Sequence, residues 1–148
     1  YQRLPATPPS DNNLSTPVEK IRYWMYAPGE GSYMWDEFHS KGIMGIGWDD
    51  LGDLSLYSSK EAMKEKMKLL YGDERTYKND GHATWQFANE VKPGDIVFAK
   101  LGMYKIIGRG IVTSEYIFDP SRVSYRHIHK VNWTHTGEWE PEYQHSLI

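Results

Sequence analysis

The chain has 148 residues, no cysteine and a formal net charge of −3. That length buries a core without cross-links, and the lack of thiols excludes disulfides and cysteine-ligated zinc. The negative total argues against a bulk electrostatic nucleic-acid binder.

Residues 1–20 hold four of the eight prolines and almost nothing apolar, so they read as a flexible tail or linker. A single domain is expected over residues 21–148. "IRYWMY" is aromatic and β-branched and stops at "APGEG", which predicts a strand and a tight loop. Ser32 is then placed to cap a short helix, "SYMWDEFHSK", that ends at Gly42. "IMGIGW" reads as a second strand. Ser58 with Glu61 forms a capping-box pattern for a longer helix, with Ala62, Met63, Met67, Leu69 and Leu70 approximating one apolar face.

The polar stretch "GDERTYKNDG" reads as a loop, followed by a short helix carrying Trp85, Phe87 and Ala88. "VKPGD" predicts a type II turn on Pro93 and Gly94. "DIVFAKL" and "YKIIGRGIV" read as a hairpin turning at Gly102, and "SYRHIHKVNWT" as the last strand before a tail, "GEWEPEY". The late strands have no helices between them. A mixed sheet curled into a small barrel with helices around it, an α+β fold, therefore fits better than a doubly wound sheet.

No run of about 18 apolar residues and no signal-peptide pattern occurs, which reads as a cytoplasmic chain with no membrane segment. The chain starts at Tyr1, which reads as a piece of a longer protein. Charge is uneven: from Lys92 to Lys130 seven basic residues face three acidic ones, a local +4 that leaves −7 for the rest. Such a stretch is either a phosphate-contacting face or a set of solvated strand faces.

Three chemistries compete for "GIMGIGWDDLGDL". A dinucleotide site needs Gly-x-Gly-x-x-Gly between a strand and a helix. Here Asp50 stands where the third glycine belongs, and Asp49 and Asp50 repel phosphate. Glycines on a strand point instead to close approach by neighbouring backbone or a ligand. Catalysis finds little support: there is no Cys nucleophile and no Gly-x-Ser-x-Gly elbow. Asp36 with His39, and His127 with His129, share faces suited to a metal, but the remaining ligands are missing. The domain reads as non-catalytic, with no metal and no cofactor. Aromatic recognition is the third option, because a flat base stacks on rings at strand ends and in loops. Trp48, Tyr33 and Tyr116 lie at such junctions, whereas Trp24, Trp35, Trp85 and Trp133 lie on periodic elements and read as core. For Trp48, pocket wall and core ring are both open.

"RYWMYAPGEG", "MWDEFHSKGIMGIGWDDLGDLSLY", "FANEVKPGDIVFAKLGMYKIIGRGIVTSEYIFD", "KVNW" and "TGEWE", in that order, resemble the EVE-type domains of the PUA-like superfamily. More narrowly, they resemble the versions beside the AAA+ GTPase motor of McrB-type, modification-dependent restriction proteins. YTH domains, which read N6-methyladenine in RNA, are more distant relatives. The resemblance implies a small PUA-like (EVE/YTH-like) mixed β-barrel flanked by helices, with a pocket for a flipped, often methylated, base. Carried onto this chain, it implies Ala27, Pro28, Gly29 and Ser32, with Tyr33 beside them, in the first loop. Trp48 is the implied stacking wall and Tyr116 the opposite wall. Lys100, Lys105, Arg109, Arg122 and Arg126 are then placed to position phosphates.

The function so implied is recognition of a modified base in DNA as the specificity domain of a larger AAA+ restriction or defence protein. The alternatives are a modified-RNA reader, and a protein-interaction domain whose aromatics are all core. A small hydrolase or metalloenzyme using His127 and His129 is a further one.

Overall fold

The computed structural model describes residues 20–140; the tail expected over 1–20 and the end of "GEWEPEY" lie almost wholly outside them. In chain order the elements are β1 (Tyr23–Tyr26), α1 (Trp35–Lys41), β2 (Ile43–Ile46), α2 (Lys60–Tyr71) and α3 (Lys78–Asn89). Then come β3 (Ile96–Leu101), β4 (Lys105–Val112), β5 (Ile117–Phe118) and β6 (His127–Trp139). The strands form one curled, half-barrel sheet in the order β1-β3-β4-β6-β2, with β5 pairing β6. β1 lies parallel to β3 because α1, β2, α2 and α3 intervene between them, whereas β3, β4 and β6 form the expected antiparallel meander. No helix among the described residues is long and apolar enough to cross a membrane.

Local chemistry explains most element ends. Gly42 closes α1 in the left-handed conformation, φ 67°, which costs glycine nothing. Gly94, at φ 97°, sits in the turn that brings the Asp95 N–H to the Lys92 carbonyl at 3.0 Å, as "KPGD" predicts.

Other expectations fail at particular residues. α1 begins only at Trp35, and Ser32 does not cap it: its hydroxyl donates to the Lys100 carbonyl at 2.6 Å. The cap of α2 is Ser59 rather than Ser58, accepting the Ala62 N–H at 3.1 Å. On α2 only Met63 and Met67 are buried, while Leu69 is 81% exposed. α3 starts within the supposed loop, at Lys78, directly after Tyr77 in a left-handed conformation. β6 runs on through the supposed tail to Trp139, paired with Ile106 of β4.

Two apolar clusters fill the interior. One, under the sheet, holds Phe38, Met44, Val97 and Val112; the other, under α2, holds Leu51, Leu54, Met63 and Met67. Burial of each such side chain contributes about 1.5–3 kcal/mol. Trp24, Trp35, Trp85 and Trp133 are half-buried, with the indoles of Trp24 and Trp133 donating to Asp95 and to the Ile43 carbonyl.

The two edge strands, β1 and β2, are not hydrogen-bonded to each other as strands. One side chain spans the gap. The Tyr26 hydroxyl accepts the Gly45 N–H at 2.9 Å and donates to the Gly45 carbonyl. Burial pushes this phenol far above its ordinary pKa, so it stays a neutral donor and acceptor. The half-barrel thus closes on a phenol bridge and leaves a seam.

Candidate functional site

A cavity of about 390 Å³ opens at this seam. Tyr26, Ala27 and Gly29 line it from the end of β1, and Gly45, Ile46, Gly47 and Trp48 from β2. Ala83 of α3 and Tyr125, just before β6, complete it. No lining side chain carries a charge, and the volume lies at the small end of the range for ligand pockets. The larger depressions include two, of about 670 and 810 Å³, that are lined in good part by charged groups. Arg122 bonds Glu37 at 2.8 Å in the first, and Arg22 bonds Glu90 at 3.4 Å in the second.

Two of the three aromatic residues lining the seam cavity, Trp48 and Tyr125, stand on unusual backbone. Trp48 has φ 63° and ψ 40°, and Tyr125 has φ 53°. A left-handed conformation costs a non-glycine residue about 1–3 kcal/mol unless its surroundings impose it. Here they do. The Trp48 carbonyl accepts a hydrogen bond from His127 Nε2 at 2.9 Å. The next residue, Asp49, accepts the backbone N–H groups of Tyr125 at 3.1 Å and Arg126 at 2.8 Å. One carboxylate therefore ties the segment carrying Trp48 to the segment carrying Tyr125. Trp48 also packs against the cluster under α2, so it is a wall of the cavity and a flank of the core at once.

His127 has its other nitrogen engaged as well. A carbonyl only accepts, so Nε2 carries the proton and Nδ1 accepts from the Tyr116 hydroxyl at 2.8 Å. That hydroxyl in turn accepts the Leu54 N–H at 3.0 Å. Burial holds the imidazole pKa below its usual value. The ring of His129, also fully buried, bridges the Phe87 and Ser114 carbonyls at 2.7 and 2.9 Å. Both nitrogens of each ring thus lie within hydrogen-bonding distance of protein groups. Among the described residues, no three His, Asp or Glu side chains converge on a possible ion.

Of the side chains the resemblance placed in the pocket, the structure brings together Ala27, Gly29 and Trp48. Tyr33 reaches the rim: its ring is 65% exposed, and its hydroxyl donates to that of Tyr125 at 3.2 Å. Burial pushes the Tyr125 phenol up to about 12. Three further residues assigned to the pocket do not line this cavity. Pro28 is buried, with its carbonyl taken by the Met34 N–H at 3.0 Å. Ser32 is buried against Lys100. Tyr116 lies between the two clusters with its hydroxyl committed, and the aromatics that line the cavity beside Trp48 are Tyr26 and Tyr125.

The basic residues do not form one surface of free cations. The Arg122 side chain is 11% exposed, bonds Glu37, and donates Nε to the Tyr125 carbonyl at 2.8 Å. Arg126 Nε donates to the Arg122 carbonyl at 2.7 Å. Lys105 pairs with Glu138 at 3.3 Å, and Arg109 reaches the Thr134 hydroxyl at 3.4 Å. The half-buried Lys100 anchors Ser32 through its backbone. Exposed pairs of this kind are weak and exchangeable.

Sequence reasoning missed Tyr125, Tyr26 and Ala83. Tyr125 fell inside an apparent strand, "SYRHIHKVNWT", and nothing local marks its left-handed backbone.

Residues 24–146 match a family described as Domain of unknown function (DUF8426). The chain belongs to that family. Among curated proteins nothing matches. In this DUF8426 domain the matched span takes in the whole described sheet from Trp24 onward and every residue of the seam cavity.

Proposed function

We propose that this domain is a non-catalytic recognition module whose seam cavity receives a modified, typically methylated, base turned out of DNA. One observation carries the reading. Trp48 and Tyr125, both held in left-handed conformations by Asp49 and His127, line a small cavity with no charged side chain. Rings on a rigid frame stack a flat neutral heterocycle at about 1–3 kcal/mol per contact, and the glycine backbone lets the heterocycle's edge approach closely. Extruding a base from a duplex costs a few kcal/mol, which stacking and edge hydrogen bonds offset.

The order of sequence blocks supports a PUA-like, EVE-type barrel, and with it a role as specificity domain of a McrB-like AAA+ restriction protein. Cutting and NTP hydrolysis then belong to other parts of that protein. Lys100, Lys105, Arg109 and Arg126 supply phosphate contacts in this reading, by exchange of their weak surface partners.

The test is fluorescence anisotropy of labelled 12-bp DNA duplexes. Each carries one N6-methyladenine, 5-methylcytosine or 5-hydroxymethylcytosine, or no modification, with RNA counterparts alongside. Saturable binding preferring one modified DNA, lost in Trp48→Ala and Tyr125→Ala variants that still melt cooperatively, supports the proposal. Equal binding of all duplexes, or selective binding kept by both variants, removes it. Preference for the RNA arm reassigns the domain as an RNA reader.

A further inference from the structure

The three glycines of the cavity differ in why they are glycine. Gly29 has φ 79°, and a Cβ there meets the Tyr33 ring at 2.7 Å, so backbone and packing both demand it. Gly45 needs its small size, since a Cβ meets the Phe38 ring at 3.2 Å and the His127 carbonyl at 3.3 Å. Gly47 answers to neither demand. Its φ lies outside the left-handed region, and a Cβ built on it meets no atom within 4 Å. Glycine also weakens a strand end, where it contributes no packing and loses the most backbone freedom on folding. No contact within 4 Å requires glycine at residue 47, yet it is one of the residues that line the cavity.

We infer that Gly47 is a specificity-determining residue: the space left by its missing side chain admits the edge of the bound ring, and so sets the largest ring the cavity accepts. The inference rests on the base-binding reading above and deepens it by naming the residue that limits ligand size. Two features support a steric limit here. Gly47 is flanked by Ile46, which packs against both apolar clusters, and by Trp48, which is fixed through His127, so neither neighbour is free to swing aside. The opposite side of the seam is held by the bond from Tyr26 to Gly45. A side chain at position 47 therefore enters the ligand's volume and has no slack to displace.

The test compares wild type with Gly47→Ala and Gly47→Val in the same anisotropy titrations, with thermal melting of each protein in parallel. The expected result is a higher melting temperature for Gly47→Ala, because alanine restricts the unfolded chain at a backbone conformation it adopts without strain. With it comes a loss of affinity for the preferred modified duplex, on the order of tenfold for one methyl group at the pocket wall, and more for valine. A residue of purely structural importance does not give greater stability and weaker binding together. Two outcomes overturn the inference. If wild type binds selectively and both variants match it, Gly47 does not limit the ligand and the base-binding reading stands. If wild type binds none of the duplexes, the base-binding reading fails and the inference falls with it.

Discussion

The Asp49 carboxylate accepts the backbone N–H of Tyr125 at 3.1 Å across 76 residues of chain, and its second oxygen takes the N–H of Arg126 at 2.8 Å. Neither residue needs its side chain for this contact, yet it decides where the Tyr125 ring stands. Hydrogen bonds to a charged acceptor contribute about 1.5–3 kcal/mol, and two partly buried N–H donors lose their partner together if it is removed. Asp49→Ala is expected to destabilise the domain by about 2–3 kcal/mol, read as a lower urea midpoint at unchanged slope. Asp49→Asn, which keeps one good acceptor, should lose roughly half of that. A midpoint unchanged in Asp49→Ala would mean the clamp is not formed in solution.

His127 makes stability depend on pH. Its folded-state pKa lies below the unfolded value of about 6.5, because burial disfavours the imidazolium. As pH falls through about 6.5 the unfolded chain takes up a proton that the folded chain resists. This contribution is therefore complete above that pH, declines below it, and levels off once the folded histidine itself protonates. The carboxylates with depressed pKa values, Glu37, Glu61 and Asp119, lose their contributions only further down, through the acid range. Melting temperatures between pH 7.5 and 5 should fall for wild type and flatten for His127→Gln. A wild-type profile as flat as the variant's would contradict the assignment.

Tyr116→Phe separates a structural tyrosine from one that lines the cavity. The hydroxyl donates to His127 Nδ1 and accepts from the Leu54 N–H. Its removal leaves two buried groups unpaired, at about 1–3 kcal/mol. Chemical denaturation should show that loss, while affinity for the preferred duplex, measured well below the melting temperature, stays near wild type. Tyr125→Ala should show the reverse emphasis. An affinity loss in Tyr116→Phe as large as in Tyr125→Ala would return Tyr116 to the pocket wall.

Gly108 is a packing constraint of a different kind. A Cβ there falls 2.3 Å from one Trp35 ring carbon and 2.6 Å from another. Trp35 has little room to retreat, because Trp133 meets it edge-on at 4.7 Å between ring centres. Gly108→Ala should cost about 1–3 kcal/mol by overpacking, read from denaturation midpoints. A stabilised variant would mean the indole has another place to go.

The contrast between Gly42 and Tyr125 shows what the sequence made legible. Gly42 announces its left-handed turn by being glycine, and Pro93-Gly94 does the same for the turn before β3. Tyr125 adopts a similar backbone for a tertiary reason, the distant Asp49, and no local rule anticipates it. Trp48 was legible as a ring at a strand end, but not as one that serves core and cavity together. Tyr116 shows the reverse error: a loop-junction aromatic is visible in sequence, whereas the spending of its hydroxyl on His127 is not. α3 hid its start behind a polar first turn, and β6 hid its end among polar residues, because hydrophobic periodicity marks only faces that are buried.

The bridge from Tyr26 to Gly45 gives the domain an aperture whose width is the length of one phenol. Strand pairing would have fixed the two edges at hydrogen-bonding distance along their whole length and sealed the gap. A single clasp holds them at one point and leaves the edge of β2 away from β6 without a partner strand. Residue 26 thus acts as a spacer. Tyr26→Phe keeps the ring and removes the latch, so hydrogen exchange at the Gly45 amide should report directly how far the mouth opens when nothing fastens it.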